Sequence, residues 1–103
     1  LNTHTSNSYT TIPADVRRRI EDALTEAATS RRSQLGALPD TDRDATAAAH
    51  RASVTRILTE VEAAQARLAD GTFGHCARCD TAIPSERLEL RPWTRLCVGC
   101  ASR

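Results

Sequence analysis

Four cysteines fall into two pairs, Cys76-x2-Cys79 and Cys97-x2-Cys100, with seventeen residues between the pairs. A two-residue gap lets one tight turn offer two sulfurs to the same metal, and Zn²⁺ favours four ligands at the corners of a tetrahedron. The spacing is that of a tetrathiolate site. One structural Zn²⁺ held by Cys76, Cys79, Cys97 and Cys100 is therefore expected. With four Cys ligands and no further donor close in sequence, the site is closed, which disfavours a hydrolytic zinc enzyme. Two disulfides would suit a secreted chain, and nothing in the sequence suggests secretion. A thioredoxin-like pair would need a βαβ setting that the sequence lacks. A zinc site that releases its metal on oxidation stays open as an alternative. His75 would be redundant as a ligand and reads as an exposed side chain.

A second set of chemical residues lies in "LPDTDRDATAAAH", Leu38 to His50, with Asp40, Asp42 and Asp44 just ahead of an alanine-rich run. Thr41 and Asp44 can form a loose capping pair for a following helix. Asp42 and Asp44 in its first turn would oppose the helix dipole favourably. Capping explains Asp40 least. The acids therefore have two readings, one local and one directed outward.

The elements that must position these residues are helical. Residues 1–11 are polar, with almost nothing to bury, and read as a flexible tail. Pro13 suits the first turn of a helix capped by Thr11 or Ile12. Val16, Ile20, Ala23, Ala27, Ser30 and Gln34 recur by four and three, with Leu24 and Leu35 flanking the stripe. Gly36 and Leu38-Pro39 are expected to end this helix. A second helix is predicted from about Asp42 to Ala69, with Gly71 beyond its end. Its stripe of Ala47, His50, Val54, Ile57, Val61, Ala64 and Leu68 has a heptad spacing, with Leu58 on its edge. His50 reads as a packed or edge residue, not a ligand.

A short linker should fold the two helices into an antiparallel hairpin. The predicted fold is mainly α: a two-helix coiled-coil hairpin over 12–70 with its tip near 36–45, then a small C4 zinc ribbon over 71–103. Phe73 and Ile83 are its expected core, and Trp93 is expected to pack over the zinc knuckle. Alanine buries little area, so the rod needs the zinc staple at its base.

Charge limits the partners. The net charge is +1, and all fourteen basic residues are Arg, a usage that fits GC-rich coding and carries no functional signal. From Cys76 onward, five Arg face three acids, and four thiolates on Zn²⁺ add two negative charges. Arg78, Arg87, Arg91 and Arg95 thus read as offsetting the zinc site, and direct DNA binding is not expected. No apolar run is long enough for a membrane span. The opening residues lack the regions of a signal peptide, so a cytoplasmic location is expected.

The run "GTFGHCARCDTAIPSERLELRPWTRLCVGC" resembles the zinc finger of the DksA/TraR family, through Gly71, Phe73, Gly74, Cys76, Cys79, Ile83, Arg87-Leu88, Pro92, Cys97 and Cys100. The preceding hairpin fits the same family, so the likeness covers about residues 13 to 103. It implies a non-enzymatic regulator of transcription that binds the RNA polymerase core, with the hairpin in the secondary channel and an acidic tip acting near the catalytic Mg²⁺. It also implies that the alarmone ppGpp can take part at the interface. The family tip reads roughly Pro-Asp-x-x-Asp-x-Ala. Pro39-Asp40 and Ala45 match, but Arg43 stands where the second Asp is expected, between Asp42 and Asp44. The partner-binding tip is thus assigned to Asp40, Asp42, Asp44 and Ala45. Asp80 replaces a glycine common after the second cysteine, and Asp tolerates the left-handed turn that this position requires. The competing reading is a zinc-stapled interaction or redox-sensing module whose acids only cap a helix.

Overall fold

The computed structural model describes residues 12–38 and 44–102. Four helices follow one another: α1 (Ala14–Ala37), α2 (Ala45–Asp70), α3 (Ser85–Leu90) and α4 (Val98–Ala101). Among the described residues the remaining backbone pairing is a single antiparallel bridge between His75 and Ala82. The expected ribbon is thus a pair of knuckles joined to two short helices. The expected tail at 1–11, Thr11 as a cap, and Asp40, Thr41, Asp42 and Arg43 lie outside the described residues.

Both hairpin helices exist, and their ends correct the sequence reading. Pro13, not Thr11 or Ile12, occupies the N-cap of α1, and its carbonyl accepts from the Arg17 N–H at 2.9 Å. Gly36 does not stop the helix, which continues through it to Ala37. The stop is Leu38, extended at φ −73° and ψ 141°, the conformation imposed on a residue that precedes proline. At the far end of α2, Gly71 adopts φ 84°, left-handed as expected, and the Thr72 N–H returns to the Arg67 carbonyl at 3.0 Å.

The buried stripe of α1 is Ile20, Leu24 and Ala28, spaced by four. Leu24 is fully buried at the centre of the seam, whereas Ser30 and Gln34, predicted to lie in it, are exposed. Burying a leucine removes far more apolar area than burying an alanine or a serine, and this sets the rotation of the helix. On α2 the predicted seam holds at Val54, Val61, Ala64 and Leu68; Ile57 and Leu58 are half-buried, and His50 is exposed.

Cross-helix contacts fix the antiparallel sense. The Arg17 Nη2 donates to the Leu68 carbonyl at 3.2 Å, Arg32 pairs with Glu62 at 2.8 Å, and the Arg51 Nη2 donates to the Leu38 carbonyl at 3.2 Å. The start of α1 therefore lies beside the end of α2, next to the cysteines. Phe73, Ile83 and Leu88 continue the hairpin core into this region, with Ile12, Leu96 and Trp93 packed against it. The exposed ion pair of Arg19 with Glu89, at 2.7 Å, links α1 to α3. The molecule measures 59 × 30 × 21 Å. Among the described residues no helix is long and apolar enough to cross a membrane.

Candidate metal centre

The two knuckles are built from backbone hydrogen bonds. In the first, the Arg78 N–H points to Cys76 Sγ at 3.4 Å and the Asp80 N–H to the Cys76 carbonyl at 2.9 Å. Closing this turn puts Asp80 at φ 63°, the left-handed conformation expected of it. In the second, the Cys100 N–H points to Cys97 Sγ at 3.4 Å and the Ala101 N–H to the Cys97 carbonyl at 2.9 Å. An Ala77 N–H to Arg95 carbonyl bond of 2.7 Å clamps the knuckles together.

This clamp brings the four predicted sulfurs together, all within 4.8 Å of one another. None is paired in a disulfide. Cys79 Sγ and Cys97 Sγ lie 3.8 Å apart. A tetrahedron with Zn–S distances of about 2.3 Å has edges of about 3.8 Å, so the opening fits zinc.

The four thiols do not share one environment. Hydrogen bonding, led by the Cys97 backbone, lowers the Cys76 thiol to about 6. Thr81, whose Oγ1 lies 3.1 Å from Cys79 Sγ, lowers Cys79. Burial pushes Cys100 up to about 12. A buried thiol of that kind stays protonated at neutral pH unless a metal ion displaces its proton. The cluster is thus capable of coordinating one structural Zn²⁺, which would supply folding free energy and no open catalytic position.

Two of the four arginines predicted to offset the zinc charge serve the second knuckle. Arg78 Nη1 donates to the Cys100 carbonyl at 3.4 Å, and Arg87 Nε to the Leu96 carbonyl at 3.3 Å. Trp93 is half-buried against the hydrophobic core. His75, half-buried where exposure was expected, places Nδ1 3.1 Å from the Asp80 carbonyl oxygen and outside the sulfur cluster. Thr81 was missed in the sequence, although a hydroxyl two residues after a knuckle cysteine is a readable signal.

At the opposite end of the rod, Asp44 is the N-cap of α2. Its Oδ1 accepts from the Thr46 N–H at 3.0 Å and the Ala47 N–H at 3.3 Å. Asp44 was expected inside the first turn; that turn holds no acid and opens with the exposed Ala45. A short carboxylate reaches two orphan amides from the cap position, so Asp44 occupies it.

Residues 71–103 match the model of the prokaryotic dksA/traR C4-type zinc finger. An uncharacterized protein of Aquifex aeolicus (strain VF5) is 46% identical over 44 residues, which make up 43% of this chain and 30% of that protein. The chain thus spans less than a third of that relative. The structure of the transcription factor DksA2 from Pseudomonas aeruginosa is 24% identical, with 94% of this chain and 82% of that one aligned at a TM-score of 0.48.

Proposed function

We propose, on the premise that residues 71–103 form a dksA/traR-type zinc finger, that this protein is a bacterial transcription regulator that binds the RNA polymerase core and catalyses no reaction itself. The hairpin enters the secondary channel, and its acid-bearing turn near Asp40, Asp42, Asp44 and Ala45 works at the far end. The polymerase interface is also where ppGpp takes part. DNA is not contacted directly, and the protein acts in the cytoplasm.

The observation that carries this reading is the position of the family finger. It sits at the base of an antiparallel hairpin, and the end of α1 at Ala37 and the start of α2 at Ala45 lie at the other end of a molecule 59 Å long. A rod of this kind can be gripped at its zinc-bearing base while its tip reaches into a narrow passage. The test is binding of the zinc-loaded chain to purified polymerase core. Saturable binding displaced by a known secondary-channel factor is the expected result. Its absence at micromolar concentrations removes the reading.

A second reading has its own observation. The Asp44 carboxylate is already used by two amides of α2, as a purely capping role requires. On that reading the protein is a zinc-stapled interaction module. Asp42→Asn combined with Asp44→Asn discriminates, because Asn also caps helices. Loss of a transcription effect with an intact fold favours the regulator; unchanged activity favours the module.

A further inference from the structure

The end of α2 and the first knuckle face each other across an open cleft of about 460 Å³, lined by Arg67, Thr72, His75, Arg78, Asp80 and Arg95 among others. Arg67 comes from the hairpin, outside the matched finger, and Arg95 from the finger. The Arg67 Nη2 nitrogen is buried and has no hydrogen-bond partner among the described residues. Burial works against its charge, and the neighbouring Arg95 cation adds to this. A buried guanidinium nitrogen without an acceptor, beside a second cation, is a costly arrangement for a protein to keep.

Asp70 offsets this only in part and gives Arg67 no hydrogen bond. Asp70 Oδ1 accepts from the Thr72 N–H at 3.1 Å and the Thr72 hydroxyl at 2.6 Å. Asp80 lies 3.6 Å from His75. Arg78 donates to the second knuckle. Arg95 forms no ion pair among the described residues. Asp80 and Cys76 line the cleft as well, but neither is hydrogen-bonded to Arg67 or Arg95 among the described residues, so the two guanidinium groups lack an acceptor of their own.

We propose that this cleft is a binding site for a phosphate-type oxyanion, held between the Arg67 and Arg95 guanidinium groups. Guanidinium groups match oxyanions through paired, charge-assisted hydrogen bonds. A tetrahedral dianion offers acceptors in several directions and serves two arginines from separate elements; a carboxylate is planar and satisfied by one. The site is complete within this chain, so it needs no polymerase, and it stands whether or not the proposed function does.

The experiment is an NMR titration of the arginine Nε–H signals of the zinc-loaded full chain, with inorganic phosphate at fixed ionic strength and with acetate as comparator. Saturable shifts of Arg67 and Arg95, larger with phosphate than with acetate and absent at Arg18, are expected. Arg67→Met should lower phosphate affinity by on the order of tenfold or more. It should retain one zinc per chain and melt, without phosphate, no lower than the parent. Arg95→Gln provides the same affinity test if Arg67→Met fails to fold. Linear shifts of all arginines alike overturn the site. Equal or stronger binding of acetate overturns its phosphate preference. Loss of zinc from Arg67→Met without any phosphate response would make Arg67 a counter-charge to the thiolates and would end the proposal.

Discussion

The two ends of the rod are held by different physics. At the base, Ile20, Leu24, Val61, Ala64 and Leu68 form one cluster with Phe73, Ile83, Leu88 and two of the cysteines. Towards the tip, Val54 is buried but stands outside that cluster, and beyond Ala28 and Val54 no described hairpin residue is buried. Most of the stabilising burial therefore lies near the cysteines, and Asp44 lies where it is thinnest. An end meant to fit a partner gains from local softness, and an end meant to anchor gains from a staple.

Removing zinc should change this contrast most. Structural zinc sites carry about 10–16 kcal/mol of apparent binding free energy, so chelation should unfold the finger and loosen the base of the hairpin. Trp93 fluorescence and helical circular dichroism check this; an unchanged signal from both would show that the base stands without metal. Leu24→Ala is next, with an expected cost of about 2–5 kcal/mol in chemical denaturation. If Val54→Ala costs as much, the two ends are equally packed and the contrast fails.

Asp44→Ala should cost about 0.5–2 kcal/mol through loss of the cap, while Asp44→Asn should cost a few tenths. Amide exchange over residues 45–50 is the sharper measurement, because it should rise in the first variant with little change at 61–68. The smallest effect is expected from Arg19→Ala. Its ion pair with Glu89 is exposed, so the thermal midpoint should barely move.

The sulfur cluster was legible because its chemistry is local, two sulfurs to a turn and two turns brought together. The stripe on α2 was legible because Val54, Val61 and Leu68 are bulky and evenly spaced. On α1 the alanines and Ser30 blurred the register, and only contact with α2 decided that Leu24 points inward. Gly36 misled because a glycine near a helix end suggests a stop, while the restriction that Pro39 places on Leu38 acts two residues later. Asp44 and Asp42 could not be separated as caps without knowing where α2 begins. Arg67 lies outside the apolar stripe of α2, and nothing in that pattern signals a buried guanidinium nitrogen.

Gly74 has a consequence for how the chain is made. A Cβ there would lie 3.5 Å from Ile12 Cδ1 and 3.8 Å from Leu88 Cδ1, so the beginning of the described chain is clasped by residues far along it. During synthesis Ile12 emerges about 60 residues before Gly74. At roughly 5–20 residues per second, it waits about 3–12 s for its partner. The hairpin becomes complete only near the end of that interval, because α2 runs to Asp70, and the clasp at its base follows. The four cysteines follow later still, so the growing rod passes through a period with its base open.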